Sequence, residues 1–415
     1  MTGDSAYSFN LAPRGSSKNR AFLVVWIALF VSITGIAMVT PLLPVFAEDM
    51  GASGIWLGLA FSGFALSQIP LMPIVGRLSD RFGKKFFLQF GLLVYVITAV
   101  AYIWAPGYQI LVIFRIFSGI GTAMVIPTAF AYVGELSPLG HEGRYMALFN
   151  IAMVAGMGIG PLLGGGVHDQ FGMDASFASM AALSALGTAI VWFFLPQVSP
   201  ATVSFISEAE DKNPVSSSYM AMMKNTTMQG VLAFQMVYGL FVGVLLAFIG
   251  IWMTLVLETS VAQVGTVLAI RYILNGTLIY PFGWLADRLN RIALATTGLA
   301  MMAACTFSVP SLGSFGLLLG LFVITGTFES MAVPSVNAIA VEQGRSLGMG
   351  SVMAISNTAI SVGLITGSLA GGVIDNAVGI VEVFQYTAVM GLAGIIIFDL
   401  LMVRNRKLKV HSSHT

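Results

Sequence analysis

Gly76-Arg77-Leu78-Ser79-Asp80-Arg81-Phe82-Gly83-Lys84-Lys85 lies between two long apolar runs, and a related stretch, Gly283-Trp284-Leu285-Ala286-Asp287-Arg288-Leu289-Asn290-Arg291, follows it after 283 − 76 = 207 positions. Carrying that offset along the chain without a gap also aligns Gly58 with Gly265, Gly91 with Gly298, Pro127 with Pro334, Glu135 with Glu342, Asn150 with Asn357, Gly160 with Gly367 and Gly165 with Gly372. Such a register implies two copies of one unit, a frequent construction among proteins that cross the membrane many times.

Composition excludes an ordinary soluble domain. With 57% hydrophobic residues, 9% charged residues and a mean hydropathy of +0.89, the chain has too little polar surface to face water. Twelve apolar runs recur, at about 21–46, 55–75, 86–104, 110–133, 146–167, 175–195, 228–256, 264–285, 292–309, 315–341, 347–374 and 383–403. Each is long enough to cross a hydrocarbon core of about 30 Å at about 1.5 Å per helical residue. Barrel strands would instead be about ten residues long with alternating polarity, so the spans are helical.

The 19 basic residues set an orientation. Seventeen lie in the amino-terminal tail, in alternate loops (Arg77, Arg81, Lys84, Lys85, Arg144, Lys212, Lys224, Arg288, Arg291, Arg345) and in the carboxyl tail, while Arg115 and Arg271 fall within spans. The loops on the other side have no Lys or Arg and carry Glu48, Asp49, Asp169, Asp174, Glu258, Asp375 and Glu382. Lys and Arg are retained on the cytoplasmic side of short loops, so both termini are expected in the cytoplasm.

The expected organisation is a tail at 1–20, a six-helix bundle at 21–195, a linker at 196–224 rich in Ser, Pro and charge, a second six-helix bundle at 225–403 and a tail at 404–415. A net charge of +1 gives no reason to expect nucleic acid. The one cysteine, Cys305, forms no internal disulfide. A cleaved leader is not expected, because the first apolar run is too long and its loss would break the repeat. No metal or cofactor is expected. A phosphate-binding Gly-rich loop ending in Lys-Ser/Thr is missing, so neither nucleotide hydrolysis nor any other enzymatic activity is predicted.

The chain resembles a major facilitator superfamily transporter, in particular its twelve-span drug:proton antiporter branch, and the likeness covers nearly its whole length. In that family the loop after the second span reads Gly-x-Leu-Ala-Asp-Arg-x-Gly-Arg-Lys, and residues 76–85 match it with Ser79 and Lys84 as the departures. The resemblance implies two pseudo-symmetric six-helix bundles around a central cavity. It also implies a cytoplasmic latch. Gly76, Asp80, Arg81, Gly83 and Lys84 supply it, with Asp80 capping the start of the eleventh span and Lys84 paired with Glu135, and Asp287, Arg288, Arg291 and Glu342 repeat the set. A carboxylate at a helix start meets the positive end of the dipole and free N–H donors, which gives the cap its physical sense. The alternative is that these charges only set topology.

Two further motifs follow the family. Gly156-x3-Gly160-Pro161-x2-Gly164-Gly165 in the fifth span matches its antiporter motif and is repeated at Gly363, Gly367, Gly371 and Gly372 with Ser368 in place of the proline. Small residues four apart let helices approach closely and Pro161 permits a bend, so a contact between the two halves that seals and opens is expected, with plain close packing of helices as the alternative. Arg115 sits in Leu111-x3-Arg115-x3-Gly119-x-Gly121 of the fourth span, where the resemblance implies a part in proton transfer. Snorkelling toward the outer surface is the competing reading.

Of 18 acids, only Glu329 in the tenth span and Asp399 in the twelfth fall within apolar runs. The flanks of Glu329 carry no other charge, and desolvation there disfavours the ionised form, which suits a group that loads and loses a proton. Arg271 in the eighth span is its nearest partner by depth. If they pair, proton and cargo compete with Arg271 for Glu329; a purely structural ion pair is the alternative. Unlike many drug antiporters, the first and seventh spans hold no embedded acid. That makes Arg271 compatible with an anionic or zwitterionic cargo. Tyr238, Phe241 and Trp252 belong to an aromatic stripe along the seventh span that offers contacts to an amphipathic ligand, although packing explains the same pattern.

These readings lead to a secondary active transporter, exporting small amphipathic molecules against inward proton flow by alternating access, in the cell membrane and as a monomer. Uptake or facilitated passage of an organic anion is the rival. A non-transporting receptor on the same fold is a second rival, and it would be accompanied by extra soluble domains or long tails.

Overall fold

The structure is a computed structural model that describes residues 15–136, 142–196, 222, 224–347 and 349–412; the expected linker lies almost entirely outside them. The described residues form thirteen α-helices and no β-strand: α1 (Gly15–Val39), α2 (Leu43–Asp49), α3 (Ile55–Phe82), α4 (Lys84–Ile103), α5 (Tyr108–Leu136), α6 (Glu142–Phe171), α7 (Met173–Phe194), α8 (Thr226–Leu255), α9 (Val261–Arg288), α10 (Arg291–Ser308), α11 (Phe315–Leu347), α12 (Met349–Val378) and α13 (Ile380–Ser412). Among the described residues twelve spans are long and apolar enough to cross a membrane, the first built from α1 and α2 together, as an integral membrane protein requires.

The repeat is visible in the joints between helices. Gly83 alone separates α3 from α4, at a φ of +95°, and its N–H donates to the Ser79 carbonyl at 3.0 Å. Its counterpart, Asn290, starts α10 by accepting from the Ile292 N–H at 3.1 Å. Gly172 and Gly379, which are 379 − 172 = 207 positions apart, turn α6 into α7 and α12 into α13 at φ values of +82° and +106°. Left-handed backbone at a one-residue joint excludes most side chains, which is why glycine occupies both.

Several expected boundaries move, and two of the changes have a clear local cause. The first span breaks at residues 40–42, because Pro41 has no N–H to continue the ladder and Pro44 restarts the helix at α2. α13 runs on to Ser412 through the expected carboxyl tail, since Arg404, Lys407 and Lys409 favour the helix once the apolar part has nucleated it.

Packing separates the two faces of the bundle, one bearing the basic loops and the other the acidic ones. At the acidic face a single hydrophobic core includes Val39, Leu43, Phe61 and Phe177 of the first half together with Phe248, Trp252, Phe322 and Phe384 of the second. Toward the basic face there are two cores, one confined to the first half (Leu92, Val125, Phe149) and one to the second (Phe234, Leu299, Phe398). The halves therefore meet at the acidic face and part at the basic face. Tyr280 and Trp284, on the basic end of α9, are 83% and 53% exposed.

The seam at the acidic face obeys the repeat. A side chain on Gly58 would overlap the Ser368 carbonyl, and one on Gly265 would overlap the Pro161 carbonyl; 265 − 58 and 368 − 161 are both 207. Likewise Gly372 lies against the Gly54 carbonyl and Gly165 against that of Val261. The helix pairs α3–α12 and α6–α9 thus approach backbone to backbone, as small residues allow in a membrane.

Candidate functional site

Three helices of the second half converge on Glu329. Arg271 of α9 donates from Nε to Oε2 of Glu329 at 2.8 Å, and Tyr238 of α8 donates from its hydroxyl to Oε1 at 2.6 Å. Arg271 is 2% exposed and Glu329 is 3% exposed. The local reason for the approach is Gly326, one turn before Glu329 on the same face of α11, where a Cβ would lie 3.0 Å from the Arg271 carbonyl oxygen. The Arg271 guanidinium also lies over the Tyr272 ring, 5.4 Å from its centre. Its Nη1 is buried without a hydrogen-bond partner among the described residues.

A buried ion pair stabilises little beyond a well-packed apolar pair, but removing one partner costs about 3–5 kcal/mol because the other charge is left uncompensated. Any change in the protonation of Glu329 therefore acts directly on Arg271 and Tyr238. The repeat has no such pair in the first half: the positions equivalent to Arg271 and Glu329, 271 − 207 = 64 and 329 − 207 = 122, hold Phe64 and Thr122. This divergence was readable in the sequence. The contribution of Tyr238 to the carboxylate was not, because its spacing on α8 looks the same as that of its aromatic neighbours.

Arg115 does not snorkel. It is 4% exposed, its Nε donates to the Phe61 carbonyl at 3.1 Å, its Nη2 reaches Thr40 Oγ1 at 3.4 Å, and it lies over the Phe64 ring at 4.7 Å. Thr40 stands at the break between α1 and α2, so Arg115 fastens α3 and α5 to that joint. It lies in the opposite half from Glu329, and the structure does not bring the two together.

The aromatic stripe needs a correction. Phe241 lies against Gly391 of α13, and Trp252 meets Phe384 of α13 edge-on at 6.2 Å. Both are buried in core, so of the three expected ligand contacts only Tyr238 meets the Arg271–Glu329 pair. A period of helical spacing marks a face, and here that face is turned to its own half.

The glycine motif needs one too. Gly156, Gly160 and Gly164 pack α6 against Ile33, Thr34, Ala37 and Met38 of α1, within the first half. Gly363, Gly367 and Gly371 seat α12 on Met236, Leu240 and Phe248 of α8 in the same way. The stripe as a whole is thus an intra-half contact, while Gly165 and the Pro161 carbonyl, with their counterparts Gly372 and the Ser368 carbonyl, reach the other half, because the adjacent residue points about 100° around the helix.

At the basic face, Arg291 pairs with Glu342 and donates from Nε to the Ala286 carbonyl at 3.1 Å, joining α10 to the end of α11. Arg288 lies over the Trp284 ring at 3.8 Å. Lys84 is buried, and Gly76 and Gly83 have open space beside them. The side chains of Asp80, Arg81, Glu135 and Asp287 lie outside the described residues. Asp399 accepts from Thr296 Oγ1 at 2.5 Å and ties α13 to α10. Because Glu342 is half exposed, Glu342→Gln is expected to lower stability by no more than about 1 kcal/mol, read as a small change in Tm. A loss several times larger would assign the pair a structural weight that its exposure denies.

Comparison with known proteins agrees with this architecture. A family model described as Major Facilitator Superfamily matches residues 25–257 and 231–415. A transporter of that type from Methanocaldococcus jannaschii is 26% identical over 381 residues, covering 89% of this chain and 95% of the relative. The quinolone resistance protein NorA of Staphylococcus aureus is 29% identical over 147 residues, which is 35% of this chain and 38% of NorA. Among solved structures, a bacterial homolog of the human lysosomal transporter Spinster, in an inward-facing and unoccupied conformation, superposes with a TM-score of 0.79 at 13% identity, covering 94% of this chain and 98% of the other. The human organic anion transporter MFSD10 gives a TM-score of 0.63 at 15% identity, covering 94% and 100%.

Proposed function

The chain belongs to the major facilitator superfamily, and from that premise we propose that it is a proton-coupled exporter of small amphipathic molecules, in which cargo and proton alternate at Glu329. One observation carries the reading: the Glu329 carboxylate, 3% exposed, is held by Arg271 from one helix and Tyr238 from another, all within the second half. A cargo bearing a cationic or donor-rich end competes with the proton for this carboxylate, and mutual exclusion at one group is what makes two fluxes run in opposite directions. Partial similarity to NorA, a quinolone resistance protein, supports export of drug-like cargo. The basic face is assigned to the cytoplasm by its Lys and Arg, with both termini there and the protein in the cell membrane as a monomer.

A second reading rests on the unpartnered Nη1 of Arg271. A cargo oxyanion accepted there displaces Glu329 from the guanidinium, and the freed carboxylate then takes up a proton in compensation. Anion and proton would load together and travel in the same direction, giving uptake of an organic anion. The charge of the cargo thereby decides the sign of the coupling.

Proteoliposomes with an internal pH dye test both readings, using tetraphenylphosphonium as a cationic probe and 1-naphthoate as an anionic one. Export by exchange predicts that adding the cation inside drives protons inward as the cation leaves. Proton entry accompanying naphthoate entry would favour the second reading, and no proton movement with either probe sinks both.

A further inference from the structure

At the acidic face, each of the two helix pairs that meet backbone to backbone between the halves, α3–α12 and α6–α9, is closed by a carboxylate. Asp169, at the end of α6, accepts at Oδ2 from the Ala262 N–H in the first turn of α9, at 3.1 Å. Asp375, at the end of α12, accepts at Oδ2 from the Gly54 N–H at the start of α3, at 3.4 Å. Each acid thus belongs to one half and caps a helix of the other. α9 also has its own capping box from Ser260 and Gln263, whereas α3 begins at Gly54 with no side chain of its own to cap it. Asn376 fills the place where Gly54 lacks a side chain, so Asp375 and Asn376 together clasp the start of α3. A carboxylate on the free N–H groups of a helix start meets both a hydrogen-bond donor and the positive end of the helix dipole.

A second observation is independent of these bonds. The backbone seam at Gly58–Ser368, Gly265–Pro161, Gly165–Val261 and Gly372–Gly54 joins the same two helix pairs, and its partners are related by the 207-residue repeat. Caps and seam both lie at the acidic face, where the two halves share one core, and the cores are separate at the other face.

We propose that Asp169 and Asp375 are a latch for the transport cycle on the acidic face, holding that side shut while the cleft opens at the basic face and releasing when access turns over. Rocking of the halves separates one end of the antiparallel α3–α12 pair as it closes the other, so the Asp375 cap is made in one resting position and broken in the other.

The test needs neither cargo nor proton gradient, so it stands apart from the exchange reading. In a Cys305→Ser background, spin labels at Ser53→Cys and Ala377→Cys, both exposed beside the clasp, report the distance across the α3–α12 seam by pulsed electron resonance. Asp169→Ala with Asp375→Ala is expected to raise the ratio of separated to closed distances by about tenfold, from the loss of two charge-bearing caps. The pair of Asn variants restores the acceptor without the charge and is expected to fall between that variant and the parent. A lowered Tm with an unshifted distance distribution, in both the Ala and the Asn pairs, overturns the latch and leaves ordinary helix capping. Should the Ala pair not fold, an Asn pair with parental distances is the overturning result.

Discussion

Glu329→Gln is expected to abolish accumulation of cargo driven by a proton gradient, and to lower stability as well. The replacement keeps an acceptor for the Tyr238 hydroxyl but sets an uncharged amide against the Arg271 Nε, leaving a guanidinium that is 2% exposed without a counter-charge. Loss of one partner of a buried pair costs about 3–5 kcal/mol, visible as a fall in Tm. The companion variant separates the two effects. Arg271→Gln combined with Glu329→Gln removes both charges and permits an amide–amide hydrogen bond, so stability is expected to return while gradient-driven transport does not. If the double variant pumps at the parental rate, the pair is structural and Glu329 has no part in coupling. If the single variant pumps normally, the same conclusion follows without the double.

The second large effect comes from two neighbouring glycines with opposite loyalties. A side chain at Gly164 would run into the Met38 carbonyl of α1 in the same half, whereas one at Gly165 would come within 2.5 Å of the Val261 carbonyl oxygen of α9 in the other half. Backbone atoms cannot rotate away, so in each case the helices must separate. Gly164→Val is therefore expected to prise α6 from α1 and to cost several kcal/mol, seen as loss of folded protein in detergent, in line with the 1–3 kcal/mol or more of an overpacked core. Gly165→Val is expected to leave each half folded and to shift the resting population toward separation at the acidic face, read as increased thiol labelling of a cysteine placed at Ala52, which is buried at that face. Equal damage from the two substitutions would show that the halves are not independent bodies, and the rocking picture would fail.

Much of the architecture is legible in the sequence. The matching of residues 76–85 with 283–291, the twelve apolar runs and the one-sided Lys and Arg are all properties of the chain read in order, and the twelve spans follow from them. The embedded acid was legible for the same reason: Glu329 is a charge where its neighbours have none, and Arg271 is its nearest partner by depth. The contacts were less so. Whether Phe241 and Trp252 faced cargo or core, and whether the glycine face met the other half or its own, depended on which side of a helix pointed where. Helical spacing identifies a face without naming its neighbour. Asp169 and Asp375 drew attention only as acids in the acidic loops, because a cap on a helix of the other half joins residues 93 and 321 positions apart.

The chain alone thus settles a duplicated, twelve-span bundle and the placing of Arg271 and Glu329 within spans of its second half, since hydrophobic length, charge bias and repeat register are one-dimensional quantities. The tertiary structure decides which glycines seal a half and which seam the two together, that Tyr238 shares the carboxylate, and at which face the halves stand apart. Those facts rest on close packing between segments distant in sequence, where about 100° of helix rotation, the step from Gly164 to Gly165, changes the partner entirely.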